Sequence, residues 1–183
     1  TYMLRGRVAH GDSMGNAGVI GAGDVQWMTA GSGIIHQEMP EGDAAGEMWG
    51  FQLWANLPAV SKMMEPRYQE IKAGKIPWLN PTPGVTIRLI AGKYGEVSGP
   101  VTDIAADPLY MDVTVYGGDR FDLDIPAGHN AFIYVFNGGG DFCGTQVEAT
   151  RLLVLGDGDG IEVVAGLLGV RFLLVAGKPF NEP

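Results

Sequence analysis

The most constraining feature of this sequence is that it nearly repeats itself. Tyr2-Met3-Leu4-Arg5-Gly6 resembles Tyr134-Val135-Phe136-Asn137-Gly138. Further along, in the same order, Gly23-Asp24-Val25-Gln26-Trp27-Met28-Thr29-Ala30-Gly31 resembles Gly158-Asp159-Gly160-Ile161-Glu162-Val163-Val164-Ala165-Gly166. Two matches in one order at nearly one offset predict two copies of a single structural unit. Within each copy the apolar runs are short, about four to eight residues, and Gly, Pro, Asn and Asp separate them, which is the pattern of a β sandwich or barrel. Glycine supplies 29 of the 183 residues. That is about twice the average share, and its spread along the chain points to many tight turns rather than long helices.

The expected fold is therefore all-β, with two antiparallel β barrels in one chain. Candidate strands are Tyr2–Ala9, Val25–Met28, Ile34–Met39, Met48–Asn56, Val85–Ala91 and Leu109–Tyr116. Phe121–Ile125, Ala131–Phe136, Gln146–Leu155, Gly160–Ala165 and Val170–Ala176 complete the set. Ser61–Lys72 is the one helical candidate, with Pro66 as its start or break. Pro58, Pro66, Pro77, Pro81 and Pro83 make the surrounding stretch an irregular linker. The expected organisation is a first barrel over 1–57, a linker with a short helix over 58–83, and a second barrel over 84–183. The second copy has chain upstream of Tyr134 back to Gly84, whereas the first has only Thr1 ahead of Tyr2. Symmetry alone then predicts a first barrel lacking its opening strands.

Composition narrows the chemistry. Twelve Lys and Arg against 21 Asp and Glu give a net charge of −9, which argues against direct nucleic-acid binding, a task that needs clustered cations. One cysteine, Cys143, excludes an internal disulfide and a Cys-based zinc cage; it reads as a small residue in a Gly-rich turn. No run approaches ~18 apolar residues, so no membrane-spanning helix is expected, and the expected compartment is the cytoplasm, or the nucleus in a eukaryote.

The segment Ser32-Gly33-Ile34-Ile35-His36-Gln37-Glu38-Met39 holds the best candidate site. On a strand, i and i+2 face the same side, so His36 and Glu38 project together and Gln37 points away. An imidazole beside a carboxylate inside a barrel is half of a non-haem metal site. The alternative is a His and a Glu on a solvent-facing strand edge. In the second copy the aligned positions are Phe172 and Leu174, which are core residue types. His10 and His129 sit beside turn sequences and read as structural. Gly11-Asp12-Ser13-Met14-Gly15 matches the nucleophile-elbow spacing, but glycines follow it where that motif needs a helix. Asp157-Gly158-Asp159-Gly160 has Ile161 where a calcium loop needs an oxygen, and reads as a hairpin turn. Trp27, Trp49 and Trp54 read as core anchors.

The string from Gly23 to Pro40, with Gln52-Leu53-Trp54-Ala55-Asn56-Leu57-Pro58 and Lys62-Met63-Met64-Glu65-Pro66-Arg67-Tyr68-Gln69, strongly resembles the pirin family, a branch of the cupins. The closing Leu174-Val175-Ala176-Gly177-Lys178-Pro179-Phe180-Asn181-Glu182-Pro183 resembles the pirin C-terminal domain. The resemblance covers essentially the whole chain. It implies a bicupin, two jelly-roll-like antiparallel barrels with metal only in the N-terminal one. Pirins hold one divalent metal, usually iron, with three His and one Glu; other transition metals are alternatives. Carried over, His36 becomes the third histidine ligand and Glu38 the carboxylate. The other two, a His-x-His pair, belong upstream of Thr1, and a further family segment belongs beyond Pro183.

The same resemblance implies a quercetin 2,3-dioxygenase type of activity, the oxygen-dependent opening of a flavonol ring, with Glu38 both ligand and general base. A second reading, of another class, is a metal-sensing binding module without catalysis, acting on a transcription factor or a metabolic enzyme through protein contacts. A metal-free storage cupin is the third. Expected partners are a small aromatic substrate or a protein, with no direct nucleic acid and no membrane.

Overall fold

Gly6 and Gly138, which the first repeat match aligns, share one backbone conformation, with φ of +70° and +66°. A Cβ at Gly6 would meet the backbone oxygen of Glu41, and one at Gly138 that of Gly169. Only glycine serves at these bends. In a computed structural model describing residues 1–182, the chain divides into two units, Thr1–Ile76 and Pro77–Asn181, with Glu182 grouped with the first.

The first unit contains β1 (Tyr2–Arg5), β2 (Arg7–Asp12), β3 (Ala17–Ile20), β4 (Val25–Thr29), β5 (His36–Glu41), β6 (Trp49–Phe51) and β7 (Arg67–Ile71). They form a four-stranded sheet in the order β6-β1-β4-β7 and a three-stranded sheet in the order β3-β2-β5. Gly6 splits the expected strand Tyr2–Ala9 between the two sheets. Met3 from one sheet packs with Val8 and Ile20 from the other, all three at 5 % exposure or less. Asp24 ties the turn before β4 to the chain beyond β7. Its carboxylate accepts from the backbone N–H of Gly21 (3.0 Å) and Ala73 (2.8 Å) and pairs with Lys72 at 3.3 Å.

That arrangement sets a pH dependence. Burial alone would raise the Asp24 pKa, but the bonds from Gly21, Ala73 and Lys72 outweigh it and hold the group below its ordinary 3.8. A depressed carboxylate contributes stability that is complete above its unfolded pKa and lost as pH falls through the folded one. Denaturant titrations at falling pH should show the first unit weakening in acid below about pH 4, and Asp24→Asn should flatten that dependence while lowering stability at neutral pH. An unchanged acid slope in Asp24→Asn contradicts the assignment.

The second unit contains β8 (Trp78–Leu79), β9 (Val85–Ala91), β10 (Lys93–Tyr94), β11 (Val97–Ser98), β12 (Leu109–Val115), β13 (Arg120–Asp124), β14 (Asn130–Phe142), β15 (Thr145–Glu148), β16 (Arg151–Val154) and β17 (Gly160–Gly177). Register explains its core. Met111, Val113 and Val115 of β12 lie opposite Leu89, Ile87 and Val85 of β9 on one side and Leu174, Phe172 and Val170 of β17 on the other. Alternation puts all nine on one face, and each is at most 2 % exposed. On the opposite face of the same strands Asp112 accepts a two-pronged contact from Arg171, at 2.9 and 2.6 Å.

The sequence expectations need local corrections. Gly160–Ala165 and Val170–Ala176 are one strand, β17, bent through Gly166–Gly169, while Gln146–Leu155 is two strands, β15 and β16. Ser61–Lys72 is not a helix. Ala59–Ser61 is a single 3-10 turn, and after Pro66 the chain runs as β7, pairing with β4 from Thr29↔Arg67 to Val25↔Ile71. Pro66 lacks the N–H a helix needs, and the edge of β4 offers a partner. The stretch read as a linker thus gives β7 to the first unit and β8 to the second. Among the described residues no helix is long and apolar enough to cross a membrane.

Candidate metal centre

β2 and β5 run antiparallel in a register that sets His10 opposite Glu38 and Asp12 opposite His36. Alternation along both strands turns all four side chains to one face of the three-stranded sheet. His36 and Glu38 therefore share a face, as their spacing requires. The structure adds His10, whose sequence context beside a turn gave it a structural reading. His10 is buried at 4 % exposure, Glu38 is half-buried, and His36 is exposed. One ligand atom from each of His10, His36 and Glu38 lies within 4.8 Å of the others. His36 and Glu38, an imidazole and a carboxylate on one face, are donor types that suit a divalent transition metal such as iron, so they fit the metal that the resemblance implies.

The three are not equivalent. His10 Nε2 lies 3.2 Å from Asp12 Oδ2, and His10 Nδ1 lies 3.1 Å from Gln26 Nε2 on β4. Tyr68 of β7 stacks on the His10 ring, with centroids 4.6 Å apart and planes 15° from parallel. Burial, with Glu70 adding to it, pushes the Tyr68 phenol up to about 12, so it is a neutral cover. Asp12 is an anion: burial would raise its pKa, but bonds from Asn16, from His10 and from the backbone N–H of Asn16 and Met14 hold it at about 2. Gln26 Oε1 and Tyr68 Oη are buried without a hydrogen-bond partner among the described residues.

Several other candidates lie elsewhere. His129 stands in the turn between β13 and β14, and Cys143 in the turn between β14 and β15 with φ of +51°. Ser13 and Met14 form a turn between β2 and β3, with no helix after them. Trp54 is no core anchor: it is 87 % exposed, because β6 ends at Phe51 and no strand carries it inward. Trp49 is also exposed, at 37 %. Two clefts of about 460 Å³, one lined by Cys143 and Glu162 and the other by Pro81 and Tyr116, contain none of His10, His36 and Glu38.

Comparison with known proteins places the chain in a family. Residues 1–55 match the Pirin family and residues 110–183 the Pirin C-terminal cupin domain. A Thermoplasma acidophilum protein provisionally named a quercetin 2,3-dioxygenase is 35 % identical across the whole of this chain and 77 % of its own length. The chain belongs to the pirin family. A pirin-like protein of Caulobacter vibrioides is 44 % identical over the whole chain, which spans 66 % of that relative's length. The crystal structure of a quercetin 2,3-dioxygenase from Acinetobacter baumannii superposes with a TM-score of 0.89 at 34 % identity, covering all of this chain and 65 % of that one. The fold of this pirin is accordingly the bicupin. The expected alignment of His36 and Glu38 with Phe172 and Leu174 does not hold in the register: Phe172 lies opposite Val135, the repeat counterpart of Met3, and Met3 lies opposite Gly50, whereas His36 lies opposite Asp12.

Proposed function

We propose that this pirin is the metal-bearing part of an oxygen-consuming oxidoreductase that opens a flavonol such as quercetin, with His36 and Glu38 as metal ligands. The observation that carries the reading is the projection of His36 and Glu38 from β5 to one face of the first unit, with ligand atoms within 4.8 Å of one another; the names of relatives at 34–35 % identity support the substrate class. In the complete site, the His-x-His pair implied by the family resemblance would join His36 and Glu38. His36 and Glu38 would hold a divalent metal such as iron, which would supply Lewis acidity toward the flavonol hydroxyl and redox chemistry toward dioxygen, the oxidant.

The chain's own residues have separable tasks. Glu38 offers a carboxylate oxygen to accept the hydroxyl proton, a general-base role that geometry near a metal allows. His36 stands at the open side of the site, where an incoming planar substrate meets it. Tyr68, neutral and stacked on His10, shields the ring from water. The test is oxygen uptake with quercetin by full-length protein whose metal content is measured on the same sample. Uptake that follows iron content and stops under a chelator is the expected result; iron-loaded protein that consumes no oxygen overturns the activity, and protein that takes up no metal overturns the site.

A further inference from the structure

Both oxygens of the Glu38 carboxylate are met by side-chain amides, and each amide is oriented by a group behind it. On one side Gln26 Nε2 donates to Glu38 Oε1 at 3.1 Å. The same nitrogen lies 3.1 Å from His10 Nδ1, whose ring reaches Asp12 through Nε2 at 3.2 Å. On the other side Gln52 Nε2 donates to Glu38 Oε2 at 3.5 Å, and Trp54 Nε1 donates to Gln52 Oε1 at 3.0 Å.

Donor and acceptor chemistry fixes the direction of every link. An indole N–H can only donate, so the Gln52 oxygen faces Trp54 and its NH2 faces Glu38. Asp12 already accepts from Met14 N (2.9 Å), Asn16 N (3.0 Å) and Asn16 Nδ2 (2.8 Å), as an ionised carboxylate does. His10 therefore carries its hydrogen on Nε2, and its Nδ1 is an acceptor. That acceptor takes one hydrogen of the Gln26 amide and Glu38 takes the other. Inverting Gln26 would set its carbonyl oxygen against a carboxylate. His10 and Gln26 are 4 % and 3 % exposed, so water does not compete readily for these bonds.

We propose that Asp12, His10 and Gln26 on one side, and Trp54 and Gln52 on the other, are positioning residues that hold the Glu38 carboxylate in its working orientation, and that His10 is not a metal ligand although it lies within ligand reach. The proposal rests on the reading of Glu38 and His36 as ligands. To coordinate a metal, His10 would have to surrender its contact with Asp12 through Nε2 or with Gln26 through Nδ1.

The test uses Ni(II) as probe on the full-length protein, with affinity measured by chelator competition, and crystal structures of the same variants. Gln26→Met and His10→Leu remove a link and should weaken Ni(II) binding about 10- to 100-fold, the usual effect of losing a partner behind a ligand. His10→Asn places an oxygen acceptor where Nδ1 stood and should recover most of that loss. A ligand role for His10 predicts that Asn fails as fully as Leu, and that result overturns the proposal. In the crystals, Glu38 should leave its orientation in Gln26→Met and His10→Leu; a Glu38 that stays in place in both overturns it too. Unsubstituted protein that binds no Ni(II) counts against the metal reading alone, because the Glu38 orientation in the variants still decides the positioning.

Discussion

Glu38→Gln is expected to cost this pirin far more turnover than metal. The substitution keeps one oxygen and the shape of the side chain but removes the carboxylate proposed to accept the substrate proton. Loss of general-base catalysis is worth about 10²- to 10⁴-fold in rate. Metal affinity should fall less, because the imidazole of His36, the other proposed ligand of this chain, is untouched and a carboxamide oxygen remains. The replacement also turns an NH2 toward one of the two amides that now donate to Glu38, from Gln26 and Gln52. Some loosening of the site is therefore expected, of the size produced by losing an outer partner, about 10-fold or somewhat more. His36→Ala is the contrast: it removes an imidazole and nothing that handles protons, so turnover and metal content should fall together. The check is oxygen-uptake rate per bound metal, with metal measured in each variant. A Glu38→Gln protein whose rate per metal is normal makes Glu38 a ligand only.

Phe172→Ala should strongly destabilise the second barrel. Phe172 has no exposed surface, lies opposite Val113 on β12, packs edge-on against Phe142 with centroids 5.4 Å apart, and meets Phe121 in a tilted contact at 6.1 Å. Deleting a buried phenyl ring leaves a cavity that the surrounding strands close only in part, at about 3–5 kcal/mol. For a unit of this size that lowers the melting temperature by about 10 °C or more. Scanning calorimetry of the full-length protein should show the loss, and Phe172→Leu should show a smaller one because it refills most of the volume. Melting unchanged within a degree or two would mean that the ring is not part of a close-packed core.

Much of this was legible in the residues. The repeat announced two units of one kind, and the Gly-punctuated apolar runs announced strands, because a side-chain period of two and frequent turns are properties of short stretches of chain. The His36/Glu38 pair was legible for the same reason: whether two residues on one strand share a face depends only on their spacing. The misreadings all depended on partners distant in sequence. Arg67–Ile71 is a strand because β4 offers it an edge, and nothing between Ser61 and Lys72 encodes that edge. Trp54 looked like core because tryptophan usually is, yet its exposure follows from where β6 stops.

The sequence by itself determined the all-β bicupin, the two glycine bends at Gly6 and Gly138, and the pairing of one histidine with one carboxylate on a single strand. Only the tertiary structure decided what surrounds them. Register between β2 and β5 brought His10 and Asp12 against Glu38 and His36, and the meeting of two sheets brought in Gln26 from β4 and Tyr68 from β7. Local spacing fixes direction along a strand, but distance across a barrel is set by register and by packing of one sheet on the other, and those are properties of the folded chain.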